Sequence, residues 1–418
     1  MIFLLPLLFF TLGLFRPRWA VLGLILAWPT YLWRGSIGHI PTTALELSIY
    51  AVALPLLLGV FRKKIIWRCP RLPRLVAWML ILWIIAWVLS TIFSTDHTSS
   101  LGALKAWLID PLIFLLLLQL VIQSADDRLL AIKSLIISGG MVAVAGLVQL
   151  VGFRDTLQDG RLSSFFHPVA NYAAMYLGPI FLISLAVVLY KIVSPRWWFM
   201  TLIIGAALAL TVSYGGYLAT TSGALVLWFG LHKGKVRTWS LRAAIVVGII
   251  FVALLSTTRN FREHFGEGRS SAAVRTQIWV TSWALVQQHP IFGIGPNTFE
   301  AAYRAELPHH YYPPLEWLVA QPHNLYLALW LETGLLGLIA FFGLLAAQIM
   351  ALFRRMRVDS ANRQILIISL AAVVSILVHG IVDTPYFKND LALEFFFFLL
   401  LPWLIPSTQK NQENKNTA

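Results

Sequence analysis

Residues 321–341 read QPHNLYLALWLETGLLGLIAF. A His–Asn pair stands at the mouth of a long apolar run, and Glu332 sits inside it. A helical crossing of a bilayer takes about 20 apolar residues, and the run is long enough. A plain anchor needs neither the imidazole nor the carboxylate. The stretch therefore predicts a membrane helix over 324–353 whose outer end has work to do. His323 follows Pro322 and stands at the membrane–water boundary, where a neutral imidazole can act as a general base near pH 7. The same ring could simply bond backbone or water at a helix start. Glu332, nine residues on, is about 13 Å deeper by helix rise and on the opposite side of the helix. A carboxylate at that depth costs a few kcal/mol unless paired, protonated or turned inward. It reads as a tie to another helix, not as a partner of His323. Glu46, Asp110 and Glu394 raise the same question in other spans.

Runs of this kind recur along the chain. Of its 418 residues 58% are hydrophobic and 12% charged, with mean hydropathy +0.75. Soluble domains carry charged residues at about 25%, so that class is excluded. Candidate spans fall at 2–15, 19–33, 43–61, 75–93, 105–122, 129–151, 170–191, 198–213, 215–231, 242–256, 324–353, 364–381 and 391–405. The first two are short and would serve as one helix plus a re-entrant piece. The opening run lacks a basic n-region and a cleavage site, so it is read as a retained segment. The expected fold is an all-α polytopic membrane protein. It has about 12 transmembrane helices and one large external (periplasmic-side) loop carrying an amphipathic helix. Its expected divisions are N-terminal transmembrane helices (1–256), the external loop (257–322), C-terminal helices (323–408) and a disordered tail (409–418).

The formal net charge is +14. The positives fall mainly in short loops: RKKIIWRCPRLPR (62–74), KIVSPR (191–196), HKGKVRTWSLR (232–242) and FRRMRVDSANR (353–363). That is the pattern of cytoplasmic membrane loops, not of a nucleic-acid-binding surface. QSADDR (123–128) falls on the same side by parity. Cys69 is the only cysteine, which excludes an intramolecular disulfide and a Cys-based metal site. The opposite, external face gathers Arg154, Arg161, His167, Arg259, Arg262, Arg269, Arg275, Arg304, His309, His310, His323, Asp383 and Lys388. Arginines there run against the positive-inside bias, and anion binding is the usual reason for one.

In the external segment, AAVRTQIWVTSWALVQQH (272–289) puts Arg275, Trp279 and Trp283 at i, i+4, i+8. Ile278, Leu285 and Val286 widen that side. This predicts a helix lying at the interface with tryptophans at headgroup level. HPIFGIGPNTF (289–299) then breaks the helix; its GIG lacks the third glycine and the βαβ frame of a dinucleotide site. His309 and His310 have no ligand spacing around them, so no metal or other cofactor is expected. The aromatics of LPHHYYPPLEW (307–317) suit sugar rings or an interfacial belt equally.

Several short motifs occur in one order. Arg275-x-x-x-Trp279 comes first, then His289-Pro290-x-x-Gly293-x-Gly295-Pro296-x-x-Phe299. His323-Asn324-x-Tyr326-Leu327 and Glu332-x-Gly334-Leu335-x-Gly337-Leu338 follow. Together they resemble the O-antigen ligase superfamily of O-antigen ligases, O-antigen polymerases and bacterial protein O-oligosaccharyltransferases. GRLSSFFHPVANYAAMYL (160–177) and HGIVDTPYFKNDLALEFFF (379–397) are similar to it too. The resemblance implies a GT-C-type, inverting, metal-independent glycosyltransferase of the bacterial cytoplasmic (inner) membrane, multi-pass, with its active site on the external face. The donor would be an undecaprenyl-diphosphate-linked glycan. The acceptor would be a hydroxyl on lipid A core, growing polysaccharide or protein, with membrane lipids as partners and no nucleic acid. By motif match Arg275 and His323 would be catalytic, Arg275 at the diphosphate and His323 as base toward the acceptor or orienting it. Arg161, Arg269, Lys388, Tyr214 and Asn324 are candidate substrate-binding residues.

One departure stands out. Many members of the family carry Ser-Arg-Gly at the outer end of a middle helix, where the matching stretch here is TVSYGGYLATTSG (211–223) with Tyr214 in place of arginine. A tyrosine bonds a phosphate but does not neutralise it. Arg161, Arg269 or Lys388 would then supply the charge, or donor and mechanism differ. Two other classes compete. A transporter or lipid-linked-glycan flippase would need polar groups at mid-depth on related halves, and no internal repeat is seen. A non-catalytic assembly factor of the same fold would tolerate loss of the His323 imidazole.

Overall fold

A computed structural model of the protein describes residues 2–38, 40–63, 65, 72–153, 157, 160–166, 169–232, 234, 238, 239, 242, 271–358 and 362–404. The expected span 242–256 (apart from Arg242), the tail 409–418 and Arg154, His167, Arg259, Arg262 and Arg269 lie outside them. The chain folds as an all-α membrane protein. Its helices are α1 (Leu4–Phe15), α2 (Pro17–Leu26), α3 (Ala44–Phe61), α4 (Arg74–Ile92), α5 (His97–Val121) and α6 (Ala125–Gly152). They continue as α7 (Ala170–Leu189), α8 (Trp198–Leu210), α9 (Tyr214–Leu231), α10 (Ser271–Gln288) and α11 (Phe299–Glu306). The last three are α12 (Leu325–Val358), α13 (Arg363–His379) and α14 (Asn389–Leu400). The sequence reading missed one small element, the antiparallel ribbon of β1 (Arg34–Ile37) and β2 (Ile40–Thr43). Among the described residues six helices are long and apolar enough to cross a membrane: α3, α4, α5, α6, α7 and α12. Shorter apolar helices include α1, α2 and α13.

Helix ends are tied at two faces. On one, Arg18 bonds Asp127 at 2.7 Å, Arg128 bonds Asn362 at 2.6 Å and Arg355 bonds the Pro402 carbonyl at 2.6 Å. This face is marked by those basic side chains, Arg18, Arg128 and Arg355. On the other, Ser90 bonds the Glu332 carbonyl at 2.7 Å, Tyr386 bonds the Trp107 carbonyl at 2.6 Å and Asn389 bonds Glu46 at 2.9 Å. This second face carries the candidate site. The first two apolar runs form a short hairpin, with Phe9 against Gly23 and Ile2 against Gly35. Its turn brings Arg18 to the basic face.

Membrane helices have no water with which to satisfy polar groups, so interior polarity must be paired inside. Glu46 caps α3 with Thr43 and takes Lys105 Nζ at 2.8 Å. Tyr50 donates to Asp110, and Tyr172 to Asp390. A π-turn over Lys105–Ile109 frees the Trp107 carbonyl that Tyr386 fills. Around Tyr386 pack the rings of Trp83, Trp87, Phe387, Phe395 and Phe396. This aromatic block buries α14 from Asp390 to Leu400 and gives the site loop 380–388 a rigid base.

The run quoted first is not one continuous helix. Gly334 has φ 69° and ψ −178°, which splits α12. Ile294 N–H donates to the Leu331 carbonyl at 2.7 Å, and Leu335 N–H to the Pro290 and Ile291 carbonyls at 3.1 Å. The HPIFGIG turn thus plugs the break and satisfies the backbone groups it frees. A Cβ at Gly334 would stand 2.0 Å from the Ile291 oxygen, so only glycine fits. The piece 325–333 carries Leu331 into a small separate core with Ile278, Leu285, Val286, Ile294, Phe299, Tyr303, Leu307 and Val319. The break falls two residues past Glu332, which therefore stands at the end of this first piece. Ser90 of α4 ties its backbone carbonyl, but the partners of its carboxylate are not on another membrane helix. They are the Asn297 N–H at 2.6 Å and Gln321 Nε2 at 3.2 Å, both in the loop segment.

Candidate active site

α10 buries Gln277, Ile278, Thr281, Ser282, Leu285 and Val286, not the stripe of Arg275, Trp279 and Trp283. The reason is tertiary. Gln277 bonds Tyr303 Oη and the Leu315 N–H, which fixes that side against α11 and the following loop. Arg275 and Trp279 are thereby turned toward the ends of α9, α12 and α13. Trp279 Nε1 donates to the Pro322 carbonyl at 3.1 Å and also lies 3.4 Å from the His323 carbonyl. The tryptophan of R-x-x-x-W thus holds the turn that presents the histidine.

That turn is unusual. His323 has φ 48°, in the left-handed region that non-glycine residues rarely adopt. Asn324 Oδ1 accepts from the N–H groups of Tyr326 and Leu327, both at 3.0 Å, capping α12. Its Nδ2 donates to the Ile381 carbonyl at 2.9 Å, and Leu325 N–H to the Gly380 carbonyl at 2.7 Å. The His–Asn pair is therefore docked on the loop after α13. There His323 Nδ1 lies 3.2 Å from Asp383 Oδ1. Burial alone would raise the Asp383 pKa. The His323, His379 and Arg275 charges outweigh it and hold the carboxyl well below the usual range.

A cavity of about 220 Å³ opens beside this pair. Arg161 and Asn171 line it from the entry to α7, Ser213, Tyr214 and Gly215 from the start of α9, Arg275 and Trp279 from α10, and His379 and Asp383 from the end of α13 and its loop. Arg161 Nε donates to the Thr211 carbonyl at 2.9 Å and its Nη2 to Asn171 Oδ1 at 2.6 Å. Arg275 Nε donates to the Val382 carbonyl at 3.1 Å and its Nη1 to Ser271 Oγ. Among the described residues no carboxylate lies within ion-pair distance of the Arg275 guanidinium. Ser213 caps α9, whose first N–H groups and positive dipole end also face the cavity. A Cβ at Gly215 would meet Val382 at 2.7 Å and the His379 ring at 3.2 Å, so the glycine lets α9 approach this loop. The arrangement can accept a dianionic group beside an imidazole held by a carboxylate.

Of the residues singled out from sequence, Arg161, Tyr214 and Arg275 share the cavity, and His323 reaches it through Asp383. Asn324 is engaged in capping. Lys388 does not line the cavity; its ammonium stands 5.9 Å from the centre of the Tyr172 ring. Burial, with Arg34 adding to it, lowers its pKa. Sequence reading passed over His379, Asn171 and Thr211 and gave Asp383 no role. His379 and Asp383 lie in HGIVDTP, a stretch that carries part of the family resemblance, and this was the available signal. Among the described residues no three metal-ligating side chains converge.

Residues 199–342 match the family model described as O-antigen ligase. The match takes in Tyr214, Arg275, Trp279, His323, Glu332 and Gly334, and stops short of Arg161 and Asp383 on either side. No curated protein gives a match.

Proposed function

Because the chain belongs to the O-antigen ligase superfamily, we propose that it is a GT-C-type glycosyltransferase acting at the outer face of the bacterial cytoplasmic membrane. It moves a glycan from undecaprenyl diphosphate to a hydroxyl on lipid A core, growing polysaccharide or protein. The basic face of the molecule is cytoplasmic in this reading, about 12 helices cross, and the cavity faces outward. What supports the reading is the convergence of Arg161, Arg275 and the α9 N-terminus on one cavity whose wall also holds the carboxylate bonded to His323.

The chemistry follows from these groups. Both arginines and the helix end take the diphosphate, whose bridging oxygen gains negative charge as its bond to the anomeric carbon breaks. His323 donates its Nδ1 hydrogen to Asp383, which leaves Nε2 as the acceptor for a proton. The acceptor hydroxyl gives that proton to Nε2 as its oxygen bonds the anomeric carbon from the opposite side. The configuration therefore inverts, and undecaprenyl diphosphate leaves. The electrostatic work is done by fixed cations, so transfer needs no divalent metal. Purified protein given the donor and an acceptor in EDTA should form a linkage of inverted configuration, read by NMR of the product. A linkage with the donor's configuration, or transfer abolished by EDTA, would contradict the mechanism.

A further inference from the structure

His379 ends α13 on the cavity wall, 3% exposed, and the proposed chemistry gives it no task. It is not a member of the His323–Asp383 pair. Among the described residues neither of its ring nitrogens has a hydrogen-bond partner. A buried donor left so is costly, and such groups are rare unless water or a ligand fills them. The ring faces α9: a Cβ on Gly215 would stand 3.2 Å from Cδ2 and 3.3 Å from Nε2. Gly215 lies in the first turn of that helix, and its N–H is unspent too. Ser213 takes the N–H groups of the next two residues, that of Gly216 on Oγ at 3.2 Å and that of Tyr217 on its carbonyl at 2.9 Å. Among the described residues nothing takes the Gly215 N–H. The turn that carries the ring is held firmly. The His379 carbonyl accepts from the Val382 and Asp383 N–H groups, both at 3.1 Å, and Arg275 Nε bonds the Val382 carbonyl. Two unspent donors, one imidazole and one amide, thus stand in the same cavity as the Arg275 guanidinium.

We propose that His379 Nε2–H and the Gly215 N–H together bind one non-bridging oxygen of the donor's diphosphate, which makes His379 a substrate-binding residue. The assignment rests on the glycosyltransferase reading of the cavity and adds a fixed pair of donors to it. The guanidinium charge draws the diphosphate in. The ring and the amide, held on two different helices, set where one of its oxygens rests. The spacing also gives a reason for glycine at 215, since a side chain there would crowd the ring edge that carries Nε2.

The test uses the full chain in detergent with EDTA. Farnesyl diphosphate serves as a short prenyl diphosphate, and its affinity is read by calorimetric titration. His379→Phe keeps a planar ring and removes both nitrogens. His379→Gln removes the ring and keeps an N–H donor near the place of Nε2. His379→Phe should bind about tenfold to a hundredfold more weakly than the wild type, as loss of a hydrogen bond to a charged group does. His379→Gln should recover most of that loss. A ring that merely packs against α9 requires the opposite order, with His379→Phe harmless and His379→Gln the weaker binder. Melting temperatures show whether each variant is folded. Undiminished binding by folded His379→Phe, with binding weakened in Arg275→Gln, would overturn the assignment and leave the diphosphate reading standing. No binding by the wild type would overturn both.

Discussion

Arg275 and Arg161 meet at one cavity from elements more than a hundred residues apart in sequence, and each is held by backbone carbonyls. For Arg275, which has no carboxylate within ion-pair distance among the described residues, that anchoring fixes direction without neutralising charge, which suits a site that must receive an anion. Arg275→Gln should lower kcat by about 10²–10³, as removal of one preorganised donor to a developing charge does. Arg161→Gln should fall similarly. Tyr214 lines the same cavity, so adding Tyr214→Arg to Arg161→Gln should restore much of the loss if charge is what matters; no recovery would mean that Arg161 acts through Asn171 and Thr211 instead. Asp383→Asn should cost on the order of 10²–10⁴ in kcat by unsettling the His323 ring. It also has a pH signature. A carboxyl whose folded pKa is depressed contributes stability above its unfolded pKa and loses it as pH falls through the folded value. The gap in melting temperature between wild type and Asp383→Asn should therefore be flat at neutral pH and close only in strong acid.

At the scale of elements, the split of α12 at Gly334 matters most. The HPIFGIG turn and the Glu-x-Gly motif are two halves of one joint. The turn's backbone satisfies the groups freed by the break, and Glu332 ties the Asn297 N–H and Gln321. Gly334→Ala should cost about 1–3 kcal/mol from backbone strain alone, with the clash against Ile291 added, read as a fall in melting temperature. Glu332→Ala leaves a buried N–H without its acceptor. It should speed hydrogen exchange across 289–299 more than in α13. Unchanged exchange there would show that the joint does not hold the loop. These relations also mark where sequence reading stopped. Apolar length made the helices legible, and motif order brought out Arg275 and His323. The break was not legible, because a helix-period pattern runs straight through a single glycine. The buried side of α10 was not legible either, because Gln277 is fixed by Tyr303 and Leu315, contacts that no periodicity carries.

For the whole molecule, two faces divide the labour. The basic face holds Arg18, Arg128 and Arg355 with their ties; the other face holds the cavity, with the aromatic block around Tyr386 between them. The account places Tyr312, which is exposed in the loop before Trp317, outside the membrane and the loop of Cys69 inside. A membrane-impermeant thiol reagent on intact cells should label Tyr312→Cys in a Cys69→Ser background, and label native Cys69 only after permeabilisation. The reverse pattern would invert the topology. Charge distribution along the sequence is the ground for this expected sidedness, and the labelling tests it. Asp383 as the partner of His323 was not legible in the sequence, since 60 residues separate them and only the docking of Asn324 and Leu325 on the 380–383 loop brings them together.

The central claim is that Arg275 and His323 serve one metal-free transfer from a lipid diphosphate. Its most direct test follows release of undecaprenyl diphosphate by the purified protein in nanodiscs, with an undecaprenyl-diphosphate-linked glycan, lipid-linked or peptide acceptors, and EDTA throughout. Wild type is compared with His323→Ala and Arg275→Ala, each checked for donor binding and melting temperature. The account predicts release by the wild type and near-complete loss in both variants, with donor binding weakened by Arg275→Ala and kept by His323→Ala. Release by folded His323→Ala at the wild-type rate would contradict it.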